Sequence, residues 1–316
     1  MGHYALRRLW QLVPVMILVS IAVFSIIHFI PGNPAQIIAG PNATPEQVAA
    51  LEARLGLDKP VYLQYGIWLG NLVSGDLGVS YINKMPVLDI IKRRIPATVE
   101  LAIASAIIAL IIALPLGIAA AVRPGSRFDL AVTTFSALSF AMPGFFLLIL
   151  LIMLFTQQLR LLPPSGRPDL WEDPGLYFRS ILMPAFTLGI GVAAKLVRYL
   201  RSSLLEVLDQ DYVRTARAKG LRDRLVLVRH ALPNALIPVV TVFGLQLGDL
   251  LSGAIIIESI YAWPGVGRLT IQAIEWRDYA LLQANVLFIV LAFMVVNLVT
   301  DLTYGLLDPR IRYDEA

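Results

Sequence analysis

The chain has 316 residues, 57% of them apolar and 15% charged, with a formal net charge of +4 and a mean hydropathy of +0.72. These values exclude an ordinary soluble domain and point to a membrane. Cysteine is absent, which excludes disulfide frameworks and thiolate metal sites.

A helix that crosses a hydrocarbon layer of about 30 Å needs about 20 largely apolar residues. Six such runs occur, at 9–30, 98–122, 130–156, 181–200, 235–260 and 281–302. Arg7 and Arg8 precede the first run, as they would in a secretion signal. The run is too long for one and lacks a small-x-small cleavage site before Pro31-Gly32-Asn33-Pro34, so it is expected to remain as a span.

The segment 31–97 is too long for a simple connector and is expected to fold. Thr44-Pro45-Glu46-Gln47 predicts an N-cap, a proline in the first turn and a capping-box glutamine, with Gly56 as the stop. Val61, Tyr65, Trp68 and Leu72 recur at helical spacing and end at Gly75-Asp76. A small amphipathic cap on the outer membrane surface is the plain expectation, and a direct docking role is the alternative.

Pro143, inside the third run, would kink an isolated helix and free a backbone carbonyl. Gly189 and Gly191 in the fourth run, and Gly244, Gly248 and Gly253 in the fifth, suit close helix packing.

Basic residues fall in alternate loops. Arg7 and Arg8, then Arg123 and Arg127, then seven Lys/Arg against four Asp/Glu over 201–234, lie on one side of a six-span chain. Segments 157–180 and 262–279 are charge-balanced. Both termini are therefore expected to be cytoplasmic. The Lys92-Arg93-Arg94 cluster sits in a loop too long for the rule to apply.

The segment from Ser202 to Pro238 is expected to open at its serines, form a helix, turn at Gly220 and resume with Leu221, Leu225, Val228 and Leu232 on one face. Composition and periodicity make it a basic helix–Gly–helix protrusion, which suits either a solvated connector or a docking element.

No Gly-x-x-x-x-Gly-Lys-Ser/Thr loop is present, so any ATP must be used by another polypeptide. No His-Glu-x-x-His occurs either; His3, His28 and His230 are dispersed, and His230 is expected on a helix face rather than as a ligand or base. Within the runs, Lys195, Asp249 and Glu258 stand out, because ionisable residues are costly there. Counting from the ends of their runs offsets Lys195 from Asp249 in depth, so Lys195 is expected to snorkel rather than pair. Asp249 is expected either to line a translocation cavity and meet a cationic substrate group or to pair with another chain.

The stretch 211–233 resembles the coupling loop of ABC importer permeases, whose pattern is Glu-Ala-Ala, three residues, Gly, nine residues, Ile, one residue, Leu-Pro. Here Arg214-Thr215-Ala216 occupies the Glu-Ala-Ala place, Gly220 the glycine, and His230 stands for the isoleucine before Leu232-Pro233. Both departures are similar to the peptide/nickel branch. Gly75-Asp76-Leu77-Gly78 with Ser80, Pro96 through Leu101, Glu258 through Gly267, Arg277-Asp278-Tyr279 and Asp308 through Tyr313 likewise resemble landmarks of its B-type permeases for dipeptides, oligopeptides, glutathione or nickel.

The resemblance implies an all-α membrane protein with six transmembrane helices, the type I ABC importer permease fold, and a folded extracytoplasmic segment after the first helix. Residues 1–30 would be the cytoplasmic N-terminus and first span, 31–97 the extracytoplasmic segment, 98–307 the permease core with coupling segment 202–234, and 308–316 a cytoplasmic tail. It implies a multi-pass inner-membrane subunit of a prokaryote, paired with a second homologous permease. Two cytoplasmic ATPases using ATP and Mg, a solute-binding protein and membrane lipid would be its other partners; no nucleic acid and no cofactor of its own are expected.

Tyr212, Arg214, Thr215, Ala216, Ala218, Lys219 and Gly220 would dock the ATPase, and Asp249, Glu258 and Pro143 would belong to the translocation path, with no catalytic or metal residue. Dipeptides or short oligopeptides come first as cargo, then glutathione-like peptides, then nickel chelates. The competing class is a self-sufficient secondary transporter or channel, which would need neither ATPase nor binding protein. A membrane enzyme has no assembled nucleophile or metal set in its favour.

Overall fold

A computed structural model describes residues 2–29, 34–40 and 43–307. The tail 308–316, with its Asp-Pro-Arg-Ile-Arg-Tyr pattern, and the Pro31-Gly32-Asn33 stop lie outside the described residues. Helices α1 (Gly2–Phe29), α2 (Pro34–Ala39), α3 (Pro45–Leu55), α4 (Val61–Val73) and α5 (Val87–Val122) come first. Then follow α6 (Arg127–Ala141), α7 (Gly144–Leu151) with a π-helical continuation Ile152–Gln158, and α8 (Pro174–Leu208). After them come α9 (Asp211–Ala218), α10 (Asp223–Leu225), a π-turn Val226–Ala231, α11 (Leu232–Ile260), α12 (Val266–Glu275) and α13 (Tyr279–Leu307).

Among the described residues, five helices are long and apolar enough to cross a membrane: those containing Trp10–His28, Val87–Val122, Pro174–Leu208, Asp223–Ile260 and Tyr279–Thr303. The third apolar run is not one kinked helix. It forms α6 and α7, bent by 101° at the break. Pro143 does not kink a continuous ladder but starts a new one: it caps α7, and its carbonyl accepts from Phe146 and Leu147. Pro143 has no N–H to donate to the preceding turn, and the residue before it is held extended, at φ −92° and ψ 118° for Met142.

At about 1.5 Å per residue, the 36 residues of α5 measure about 54 Å, well beyond the hydrocarbon thickness. The extra length lies at its N-terminal end, where Lys92, Arg93 and Arg94 are helical rather than looped.

Among the described residues the chain divides into two compact units, one of Ala97–Pro264 with 293–307, the other of 2–96 with Gly265–Ala292. In the first, α8 is central: 72% of its apolar window is buried, against 33% or less in the other four long helices. It meets α5 through small residues, Ala106, Ala109 and Ala113 facing Val192, Ala193 and Leu196. At Gly189 a Cβ would stand 2.7 Å from the Ser105 carbonyl oxygen, so glycine is needed for this close approach. Gly248 plays the same part between α11 and α13, where a Cβ would stand 2.7 Å from the Phe293 ring. Leu188 beside Gly253, Lys195 beside Asp249 and Ser203 beside Ala235 mark successive levels of one antiparallel pairing of α8 with α11.

In the second unit the predicted cap of α3 forms as read. Thr44 Oγ1 accepts from Gln47 N, the Gln47 side chain accepts from Thr44 N, and Gly56 ends the helix with φ 69°. The apolar face of α4 covers α1, with the Phe24 ring 5.4 Å from Tyr65 and 5.6 Å from Trp68, and Ser20 Oγ 2.8 Å from the Tyr65 hydroxyl. Buried Ser80 donates to buried Asp278, and Asp278 in turn caps α13 at Leu281 N. Two distant sequence landmarks thus meet in one hydrogen-bonded pair.

Candidate functional site

The segment between α8 and α11 folds as a compact hairpin. Ser202 and Ser203 do not open it; they lie inside α8, which runs on to Leu208, and Ser203 Oγ donates to Ala235 O at 3.0 Å. Hydroxyls bonded along the bundle in this way do not cap, and the cap falls to Gln210. Asp211 stands in the first turn of α9 and Arg217 in the last, the charge order that the helix dipole favours.

A small core holds the hairpin closed. Val213 and Ala216 of α9 pack on Val226, with Leu208 and Leu221 around them. The reversal follows Lys219, where Gly220 takes φ 79°. That left-handed conformation costs a residue with a Cβ, although the space around the glycine is open. Arg217 bridges the turn to Asp223 at 3.3 Å, and Arg214 reaches Asp209 at 2.6 Å. The hydrogen bond that Arg214 donates to Asp209 raises its pKa above the ordinary value.

Beyond the turn the predicted face Leu221, Leu225, Val228 and Leu232 is not the buried one. Leu225 and Val228 are exposed, and Val226, Ala231, Ala235 and Val239 face inward instead. Their first interval is five residues, the later ones four. The π-turn Val226–Ala231 inserts the extra residue, an interval that a 3.6-residue template does not anticipate. It also leaves the His230 carbonyl open to the Asn234 amide, at 3.1 Å, and the same amide donates to the Tyr212 hydroxyl at 2.9 Å.

Of the seven residues expected to dock a partner, Tyr212, Arg214, Thr215, Ala218, Lys219 and Gly220 lie together on the exposed side. Ala216 does not join them: at 8% exposure it belongs to the hairpin's own core. The residues that build this surface from beneath, Val213, Val226 and Asn234, were not singled out by sequence reasoning. The apolar Val213 and Val226 within a basic stretch were the available signal.

The ionisable residues of the spans separate into different roles. Contrary to the depth count, Lys195 Nζ and Asp249 Oδ2 are 3.3 Å apart, with side-chain exposures of 34% and 56%. The apolar runs understate the helices, since α8 begins at Pro174 and α11 is entered from Asp223, so counting from run ends misplaces both residues. Glu258 is fully buried and accepts from Thr98 Oγ1 at 2.7 Å. It thus faces the interior of its unit rather than an open path. Pro143 is exposed at the α6–α7 break, and Gly144 lies against Thr187 of α8.

Arg198 and the pair Arg201–Asp129 were missed by the sequence reading. The Arg198 guanidinium lies 5.5 Å from the centre of the Phe140 ring. Arg201 holds Asp129 through two nitrogens. Trp263, fully buried after the Glu258 segment, donates from Nε1 to Ala97 O at 2.7 Å. Tyr261 beside it donates to Pro163 O at 2.9 Å, and its burial raises its pKa.

Sequence comparison with known proteins matches nearly the whole chain. Residues 113–313 match the family described as binding-protein-dependent transport system inner membrane component, and residues 1–102 match its N-terminal membrane component. A dipeptide transport system permease protein (DppB) of Alkalihalophilus pseudofirmus is 43% identical over 331 residues, covering 98% of this chain and 99% of the relative. The glutathione transport system permease protein (GsiC) of Escherichia coli K12 is 41% identical over 313 residues, covering 99% and 100%. Among solved structures, an inward-facing MetNI methionine ABC transporter aligns with a TM-score of 0.57 at 19% identity, over 70% of this chain and 97% of the other. An amino acid ABC transporter aligns at 0.52 and 16% identity, over 71% and 94%. These two support the fold.

Proposed function

We propose that this chain, which belongs to the binding-protein-dependent transport system inner membrane component family, is the multi-pass permease subunit of an ATP-driven importer of short peptides. The peptide cargo is supported by the full-length likeness to dipeptide and glutathione permeases. Dipeptides or short oligopeptides fit that likeness first, glutathione-like peptides next and nickel chelates last.

The observation that carries the mechanism is the α9 hairpin. Its closed core, its exposed basic face and its short links to α8 and to the continuous helix from Asp223 to Ile260 make it a rigid handle on two spans at once. In our reading the exposed residues from Tyr212 to Gly220 seat against a cytoplasmic ATPase, and closure of the ATPases moves α8 and α11 together. Both termini then lie in the cytoplasm, and the folded 31–97 segment faces the binding protein. A second, related permease completes the translocation path, and ATP and Mg are used by the ATPases alone.

The test is reconstitution of the importer with Arg214→Glu and with Ala218→Trp, two exposed positions. Membrane insertion should be unchanged, while stimulation of ATP hydrolysis by the loaded binding protein and peptide uptake should both fall about tenfold, the scale of losing one charged contact. Undiminished stimulation and uptake in both variants would overturn the coupling role. Gradient-driven, vanadate-insensitive uptake by the purified chain alone would overturn the importer reading.

A further inference from the structure

The ion pairs of the spanning helices differ in how fully they are satisfied. Asp129 accepts from two Arg201 nitrogens and from Gly125 N, so three of its carboxylate's roughly four acceptor positions are filled. Lys195 and Asp249 share a single contact of 3.3 Å, and neither makes another hydrogen bond among the described residues. An ammonium carries three donors and a carboxylate has about four acceptor positions, so most of the pair's capacity is unused.

A charge pair with unused capacity is untenable against hydrocarbon and must open on water, on a polar ligand or on a polar group of a partner chain. Room for one exists beside it. A Cβ on Gly191, one turn before Lys195, would meet nothing within 4 Å, and Ser252 and Gly253 lie exposed one turn beyond Asp249.

We propose that Lys195 and Asp249 form an end-group reader for zwitterionic short peptides, with Asp249 receiving the α-ammonium and Lys195 the α-carboxylate. This rests on the peptide-import reading above and names the residues that would recognise its cargo. The pair is neutral and so is the zwitterion, so exchanging partners strands no charge. The ends of an extended dipeptide are at most about 7 Å apart, within reach of one lysine rotamer change from the closed pair. Because the two side chains can re-pair as the peptide leaves, binding stays weak enough for passage, as a conduction path requires.

The experiment uses the complete importer in proteoliposomes, with radiolabelled alanyl-alanine as probe. The Lys195→Met/Asp249→Leu double variant removes both charges at similar volume, a change that a merely structural ion pair tolerates. We expect it to assemble and to keep ATP hydrolysis stimulated by the loaded binding protein. We expect its uptake to fall by about tenfold or more, as loss of charged hydrogen bonds to the cargo requires. Wild-type uptake in this variant would overturn the proposal.

The reversed pair, Lys195→Asp/Asp249→Lys, gives a second reading. It restores the α8–α11 bridge but presents like charge to a peptide handed over in the same orientation. Uptake depressed about tenfold with ATP hydrolysis intact would support end-group reading. Uptake at the wild-type rate would show that the pair only joins the helices. If the unaltered importer accumulates no alanyl-alanine on ATP addition, the dipeptide-import reading on which this proposal rests fails, whatever the variants do.

Discussion

Arg201 on α8 grips Asp129 on α6 with two nitrogens, at 2.5 Å and 2.7 Å, and so ties the first half of the broken span to the central helix. Asp129 is almost inaccessible, with a side-chain exposure of 5%. Arg201→Ala would leave that carboxylate without its counter-ion, at a cost of about 2 kcal/mol or more. Thermal unfolding of the purified importer should fall accordingly. Asp129→Asn combined with Arg201→Gln should recover much of the loss, since no uncompensated charge remains.

Gly220 is held in a left-handed conformation by the turn, not by crowding. Gly220→Ala should therefore cost about 1–2 kcal/mol, all of it backbone strain. Gly220→Asn should cost less, because asparagine tolerates that region. Binding-protein-stimulated ATP hydrolysis should follow the order Gly, Asn, Ala.

The two close helix approaches predict unequal outcomes. Gly189→Ala pushes a Cβ onto the Ser105 backbone oxygen, which cannot rotate away, whereas Gly248→Ala meets the Phe293 ring, which can. Gly189→Ala should destabilise by about 2–3 kcal/mol and Gly248→Ala by about 1 kcal/mol, read as midpoint shifts in detergent. Adding Phe293→Leu should relieve the second variant and leave the first unaffected.

Trp263 fills a buried site and donates to the Ala97 carbonyl, which lies on α5 and also serves the helix's own ladder. Trp263→Phe keeps most of the volume and removes only that second bond to the carbonyl, so it should lose about 1 kcal/mol. Trp263→Ala adds a cavity and should lose about 3–5 kcal/mol. Expression level and thermal midpoint of the assembled importer would rank the three proteins.

The spans and the cap of α3 were legible because each follows a local rule: a run long enough for the bilayer, or a Thr-Pro-x-Gln start with a glycine stop. The break at Pro143 was not, since both halves are apolar and a run of hydropathy is blind to direction. Depth failed for Lys195 and Asp249 because helices outrun their apolar segments, and only the α8–α11 register, set by packing, brings the two to one level. Ala216 was placed in the docking set by the family resemblance, yet its small size fits it to the hairpin core against Val226. Arg198 stood in plain view within an apolar run, and its charge was the signal not used.

The π-turn at Val226–Ala231 gives the stretch beyond Gly220 a property unusual for a connecting segment. Connections ordinarily absorb gained or lost residues without penalty to the elements they join. Here the count of residues sets an angular phase. Removing one would restore α-helical winding and turn the hairpin by about 100° about the axis of α11. The exposed face of α9 would then point elsewhere, and the bond from Asn234 to the Tyr212 hydroxyl, which crosses the π-turn, would be lost. The length of this stretch is accordingly as constrained as the identity of its side chains, and an importer altered by a single deletion here would keep a sound membrane bundle whose handle no longer meets its motor.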